Sequence, residues 1–467
     1  MKITFHGAAR QVTGSMHLLT LDNGYNILLD CGMNYEQKRE LNADAFEFPF
    51  RAADIDVLVL SHAHIDHSGN IPKLVSDGFK GQILCTPPTF DLVKYLLFDS
   101  ANIQLNEYKQ RLNRAGKNRR QFIAPPIYSD REVEIALDKF VTLNFGKPFQ
   151  LSPTVSIELI EAGHLLGAAS VVIQYDENDT TRRIGFSGDI GRSHAELIRT
   201  PVVMKNLDYL ITETTYGGRK HKSGVHAETD LLKYFDEVER MRGRLIIPAF
   251  SVGRTQSIVF ALHKLYRKGL LPPVKVFVDS PLAVRSTYIY EKYPELLNDE
   301  AKAFMEQHGA LFDFEQLELL EDYEDHEKLM YYTEPCIIIS AAGMVEGGRI
   351  QEHVRNNVQN PFSTILIAGY CAEGTLGHRL LQGQKNLRMN GRDYQIYSKI
   401  AHTDVFSSHP DSDEIFSYIH AHVQPQLKNI FLVHGDGNNL DEMQKRLEDN
   451  GIHQSVIPEM GQSFYLD

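Results

Sequence analysis

The feature that most restricts what this chain can become is the run His62-Ala63-His64-Ile65-Asp66-His67, placed directly after the apolar stretch DVLVL (Asp56 to Leu60). It offers four potential metal ligands within six residues, at the point where a buried strand ends and a loop begins. Alternation along an extended backbone lets His62 and His64 point the same way, toward one ion. Asp66 and His67 can then turn toward a second ion a short distance away. Imidazole plus carboxylate is the donor set that Zn²⁺ accepts in open, catalytic sites, where one position is left for water. The bland alternative, a polar loop with chance histidines, suits an isolated H-x-H better than the fuller H-x-H-x-D-H.

Composition narrows the setting. A length of 467 residues suits about three structural units, or two larger ones. At 42% hydrophobic and 23% charged residues the chain reads as a globular protein, and it has no uninterrupted apolar run of the roughly 18–20 residues that a membrane span needs. The first residues, MKITFHGAARQ, contain no apolar signal-peptide core, so export is not expected. The four cysteines (Cys31, Cys85, Cys336, Cys371) are scattered and form no CxxC pair, which fits a reducing cytoplasm. A net charge of −13 argues against a protein that coats nucleic acid through a cationic face, but leaves room for an enzyme with a local basic cleft. Twenty histidines point the same way as the loop, toward a metal enzyme.

Along the chain, short strands are expected at Lys2–Phe5, His17–Leu21, Tyr25–Leu29 and Asp56–Leu60. A polar helical region follows from about 91 to 140, with a basic run at Lys109, Arg111, Arg114, Lys117, Arg119 and Arg120 that reads as a solvated face. Strands resume at Val155–Leu159, Ser170–Gln174 and Ile184–Ser187. From about 215 to 395 apolar strands (LIIPAF, VKVFVD, PCIIIS, TILIAG) alternate with helical stretches, a pattern that implies a parallel sheet with ligands at the strands' carboxyl ends. Gln395–Ala401 alternates as a strand, Ser412–Ala421 reads as a helix, and IFLVH as a further buried strand.

The H-x-H-x-D-H loop, together with Asp30 in ILLDCG, His164 in AGHLLG and Asp189 in FSGDIG, resembles the metallo-β-lactamase fold. The resemblance implies an αββα sandwich in which His62, His64 and His164 hold one zinc ion, with Asp66 and His67 on a second. Asp189 would bridge the two, and Asp30 would orient a histidine from behind. The remaining histidine of the second ion is His434 in FLVHGD, some 245 positions beyond Asp189, so a domain is inserted between them. That insert carries the marks of the β-CASP family: Glu213-Thr214-Thr215-Tyr216-Gly217 resembles its acidic motif, Phe406-Ser407-Ser408-His409-Pro410-Asp411 its FSAHAD motif, and Val433-His434-Gly435 its closing motif. The implied division is 1–215 and 396–467 for the lactamase-like domain, and 216–395 for the inserted β-CASP domain on a mainly parallel sheet. Ala401-His402-Thr403-Asp404 also reads as AHxD. His409 is the better match, because a helix follows it and its distance to His434 suits one helix and one strand. His402 stands as the alternative.

The resemblance implies a two-zinc ribonuclease. Asp66, His409 and Glu213 would be catalytic, with a metal-bridging hydroxide attacking phosphorus and the His409–Glu213 pair protonating the leaving 3′ oxygen. A histidine rather than a valine at 434 marks the RNA-acting branch. Arg219, Arg254, Gly348, Arg349, Ser408 and His378 are the candidate contacts to single-stranded RNA. The basic tetrad Arg219–Lys222 and the Gly347-Gly348 pair add cationic charge and exposed N–H groups. A homodimer is typical of relatives. The competing readings are a DNA nuclease of the same family, a hydrolase of small esters or thioesters, and a non-catalytic scaffold, the last opposed by the complete ligand set.

Overall fold

In the computed structural model, residues 1–34, 46–114, 123–177, 180–221, 226–389 and 391–467 are described. The part of the basic run at Lys117, Arg119 and Arg120, and Lys222, lie outside them. The chain forms two compact units, one of Met1–Ser193, Thr200–Lys220 and His409–Asp467, the other of His194–Arg199 and His221–Ser408.

The first unit is a sandwich of two seven-stranded sheets. One runs Ser463–Tyr465, Lys2–Phe5, His17–Thr20, Asn26–Leu29, Val57–Val59, Gln82–Cys85, Phe140–Thr142. The other runs Ser455–Val456, Asn429–Val433, Tyr209–Glu213, Thr180–Phe186, Ala169–Glu177, Val155–Glu161, Phe149–Ser152. Alternating inward residues from both sheets make one core, in which Ile3, Leu29 and Val59 meet Val171, Ile211 and Phe431. The Phe5 and Phe431 rings lie 5.1 Å apart across it. Helices Pro87–Arg114 and Asp130–Leu137 pack on each other beside the first sheet, and Ser412–His422 and Gly437–Asp449 do so beside the second. This is the αββα arrangement expected from the motifs.

The second unit is built on six strands that pair throughout in parallel, in the order Leu317–Leu320, Lys275–Asp279, Cys336–Ser340, Arg244–Pro248, Thr364–Ala368, Lys399–Thr403. Its central strands Cys336–Ser340 and Thr364–Ala368 are buried along their whole length, as strands covered on both faces must be. The border expected at 395 falls short of this unit's edge. Lys399–Thr403 is hydrogen-bonded to Thr364–Ala368, so the unit runs on to Ser408. The strand Leu317–Leu320 and the hairpin Asn386–Met389/Arg392–Gln395 were not expected. The first is short and half-exposed, and the second too polar to stand out as strands.

Close backbone approaches hold the loops at the strand ends of the first unit. Gly191 donates to the carbonyl of Ala162, and a Cβ on it would lie 1.7 Å from the carbonyl oxygen of Gly163. Gly32 is equally enclosed, with a Cβ there 1.6 Å from the carbonyl oxygen of Asp66. Both neighbours are backbone and cannot swing away. Gly191→Ala is therefore expected to lower stability by about 1–3 kcal/mol in urea unfolding. Gly437→Ala, where nothing lies within 4 Å, should change it by no more than about 0.5 kcal/mol.

Candidate metal centre

Most of the candidate site residues of the first unit lie at or just beyond the end of a strand. After Val57–Val59 the chain turns through Ser61 to His64 into the short helix Ile65–Ser68. Ser68 Oγ closes that turn on the carbonyls of Ala63 and His64, and the backbone carbonyls of Asp66 and His67 accept from Ser15 and Cys31. Asp30 and His434 each leave a strand with a left-handed backbone (φ +58° and +51°), a conformation costly for non-glycine residues and held here by tertiary bonds. The His434 N–H donates to Ala8 at 2.7 Å.

These loops bring together two groups of donors. His62 Nε2 lies 3.1 Å from His64 Nδ1, His164 Nε2 lies 3.3 Å from the same atom, and Asp189 Oδ2 lies 3.5 and 3.6 Å from His62 and His164 Nε2. In the second group His67 Nε2 is 3.1 Å from His434 Nε2, Asp66 Oδ2 is 3.6 Å from His434 Nε2, and Asp189 Oδ1 is 3.2 Å from His67 Nε2. Asp189 thus gives one oxygen to each group. It is 2% exposed, and its Oδ1 has no well-aligned hydrogen-bond partner.

The residues fit a pair of divalent cations. For metal–ligand bonds of about 2.0–2.1 Å the edge of a tetrahedron is about 3.3–3.4 Å, and the donor–donor separations scatter around that value. Imidazole nitrogens facing each other at 3.1 Å repel unless a proton or a cation lies between them. Burial holds His62 and His164 well below the usual histidine pKa, reinforced by their histidine neighbours, and takes His64 down to about 4. These rings are neutral and ready to donate lone pairs. His67 is the exception. Burial opposes its charge, but Asp189 and Asp30 outweigh burial and push its pKa well above the ordinary value.

Asp30 sits behind the ligands, fully buried, and accepts from Ser61 N at 2.8 Å, Ser61 Oγ at 2.9 Å and Ser15 Oγ at 3.1 Å. It holds His67 Nδ1 at 2.6 Å, which turns Nε2 toward His434. Beside the donors, Glu213 Oε2 lies 3.0 Å from His409 Nδ1, while Glu213 Oε1 accepts from the Ile190 N–H at 2.6 Å. Burial disfavours a charged His409, yet Glu213, with Asp189 and Asp66 behind it, pushes its pKa up to about 9. His402 is not part of this group. It is an exposed residue on Lys399–Thr403 in the second unit.

The candidate RNA contacts fall out differently. Arg219 is exposed, and its carbonyl accepts from Ser412 N. Ser408 ends the second unit half-buried, and His378 is half-buried on the helix Leu376–Leu381. Arg254 is 6% exposed, stacked 4.6 Å over Phe250 with its guanidinium against Gly369, so it packs the strand ends and offers little surface. Gly348 (φ +70°) is needed for a tight turn, where a Cβ would lie 2.3 Å from the Ala341 carbonyl. Arg349 is committed inward, to Asp279 Oδ1 at 2.8 Å and the carbonyls of Leu320 and Glu321. The same Asp279 binds His326 Nδ1 and His353 Nε2, both at 2.6 Å, in a buried network that the sequence did not reveal. Thr215 was also missed. Its Oγ1 lies 2.5 Å from Glu213 Oε2 and 3.1 Å from His434 Nδ1.

Comparisons with known proteins agree with this architecture. Residues 9–203 match the metallo-beta-lactamase superfamily, 255–380 the Beta-Casp domain and 393–458 the Zn-dependent metallo-hydrolase RNA specificity domain. Transcription termination factor FttA of Methanocaldococcus jannaschii is 30% identical over 93% of this chain and 67% of its own. The chain belongs to the β-CASP family of the metallo-β-lactamase superfamily. Ribonuclease TTHA0252 of Thermus thermophilus is 29% identical over 98% of both chains, and an RNase J-like protein of M. jannaschii is 29% identical over 93% of this chain and 92% of its own. A solved structure of a protein of unknown function from Enterococcus faecalis shares the fold, with a TM-score of 0.55 at 13% identity over 100% of this chain and 99% of that one. As a β-CASP protein this chain is a metal-dependent hydrolase. Asp189→Asn, which removes charge from the one residue reaching both donor groups, is expected to weaken binding of divalent metal at least about tenfold. Metal content after dialysis against a weak chelator measures this.

Proposed function

We propose that this β-CASP protein is a zinc-dependent ribonuclease that hydrolyses phosphodiester bonds of single-stranded RNA in the cytoplasm. The observation that carries the reading is the Glu213–His409 pair set beside two donor groups that share Asp189. Hydrolysis of small esters has no need of a dedicated proton donor for an alkoxide leaving group, whereas phosphodiester cleavage does. The relatives' names, a ribonuclease and an RNase J-like protein, support RNA as the substrate. The histidine at 434 supports it too. Four free, buried cysteines are at home in a reducing compartment.

His62, His64, His164 and Asp189 would hold one zinc ion, and Asp66, His67, His434 and Asp189 a second. Bound there, the ions would lower the pKa of a water molecule and neutralise the charge of the phosphate oxygens. The chain's own residues do the rest. Water adds to phosphorus, the bond to the 3′ oxygen breaks, and that oxygen takes a proton, leaving 5′-phosphate and 3′-hydroxyl ends. With Nδ1 turned to Glu213, His409 has Nε2 to deliver that proton, and its pKa of about 9 keeps the ring protonated at neutral pH. Asp66 supplies a carboxylate at the edge of the centre, less buried than Asp189.

Labelled single-stranded RNA and DNA, each with and without chelator, test the proposal. RNA is expected to be cut and DNA spared, and chelation should abolish cleavage. His409→Ala should retain its metal and lose about 10²–10⁴-fold in rate, and His402→Ala should cleave like the parent protein. Cleavage that survives metal removal, or a fully active His409→Ala, would overturn the reading.

A further inference from the structure

The hydroxyl of Thr215 carries a single proton, and its buried neighbours dictate where that proton goes. Glu213 Oε2 at 2.5 Å and the His434 carbonyl at 3.1 Å can only accept. The third neighbour, His434 Nδ1 at 3.1 Å, therefore faces a lone pair of the hydroxyl and must itself be the N–H. A neutral imidazole with its proton on Nδ1 has a bare Nε2, and that is the atom 3.1 Å from His67 Nε2 and 3.6 Å from Asp66 Oδ2. Thr215 is 7% exposed and Glu213 1%, so water does not compete for these bonds.

The same arrangement recurs at the other donor group. Ser61 Oγ gives its proton to Asp30 Oδ2 at 2.9 Å and lies 3.1 Å from His62 Nδ1, so that nitrogen too must be the donor and Nε2 is left bare toward His64 and Asp189. In both cases a hydroxyl stands between a buried carboxylate and the Nδ1 of a histidine from a different donor group. Glu213 joins the two tasks of the site, taking the Thr215 proton on one side and facing His409 on the other.

We infer that Thr215 and Ser61 are positioning residues that set the tautomers of His434 and His62, each hydroxyl obliging its histidine to present Nε2 to a divalent metal. The inference rests on the metal-centre reading and extends it to residues that touch no metal.

Selectively ¹⁵N-histidine-labelled, metal-free protein tests it, with long-range ¹H–¹⁵N spectra and His434 assigned by His434→Asn. The expected parent signal is an Nδ1–H, bare-Nε2 ring at His434. In Thr215→Val, which keeps shape and loses the hydroxyl, the ring should shift toward the other tautomer or a mixture. Zinc affinity by chelator competition should fall about 10–100-fold, and Thr215→Ser should restore both readouts. Ser61→Ala should do the same to His62 and keep the His434 tautomer. Thr215→Ala serves if the valine variant does not fold. An unchanged His434 tautomer with unchanged zinc affinity in the valine or alanine variant overturns the inference alone. A parent protein that binds no divalent metal overturns the metal-centre reading with it.

Discussion

A carboxylate with almost no access to water, set among imidazoles from three different loops, is the constraint on which the rest of this structure depends. Asp189 reaches His62 and His164 with one oxygen and His67 with the other, at 3.2–3.6 Å. Burying that charge is costly unless something positive sits with it. The surrounding histidines do not provide enough, because burial holds His62, His64 and His164 neutral. His67 is driven toward the charged form by Asp189 and Asp30 together, and His409 beside the donors is raised to about 9, chiefly by Glu213. Protons on these rings are a poor substitute for divalent charge held among the donors themselves. The fold has assembled a donor set whose buried charge divalent cations would neutralise.

The sandwich makes this possible because its strands stop at one place. Glu213 ends a strand and Asp30, His62, Asp189 and His434 each follow one, so the sheets fix the loop bases while the loops converge. Convergence has local costs. Asp30 and His434 adopt left-handed backbones without being glycine, and Gly32 and Gly191 must lack a side chain for neighbouring carbonyls to pass. The second unit follows different rules. Its parallel strands are buried on both faces, so they read in the sequence as unbroken apolar runs instead of alternating ones.

That difference explains what could be read in advance. The candidate ligands were legible because chemistry concentrates them: His62, His64, Asp66 and His67 lie close together in one segment, and His164, Asp189 and His434 sit in glycine-flanked turns after apolar strands. The β-CASP insertion was legible from its strand–helix alternation, its far border less so, since Lys399–Thr403 is polar and joins the sheet only through pairing with Thr364–Ala368. What stayed hidden was anything decided by a hydrogen bond across the chain. Thr215 is one hydroxyl among many until its Oγ1 is seen 3.1 Å from His434, 219 positions away. Arg349 reads as a cation for RNA until Asp279, 70 positions earlier, is found holding it.

Asp279 also shows why composition alone does not make a metal site. It gathers histidines, as Asp189 does in the candidate metal centre, but its oxygen lies 2.6 Å from His326 Nδ1 and from His353 Nε2. That is shorter than the edge of any ordinary coordination polyhedron with bonds of about 2.0–2.1 Å, and it is the length of a charge-assisted hydrogen bond. Both facing nitrogens are therefore N–H donors, and Arg349 at 2.8 Å supplies the positive charge that the buried carboxylate needs. The carboxylate's charge is met without an ion, although His326 Nε2 and His353 Nδ1 on the far side of the rings have no hydrogen-bond partner among the described residues. At Asp189 the corresponding separations are 3.2–3.6 Å and no arginine or lysine is paired with the carboxylate among the described residues, so the same residue types leave a gap the size of a cation. Donor spacing and the source of compensating charge, more than the residue types, separate the Asp279 cluster from the candidate metal centre in this chain.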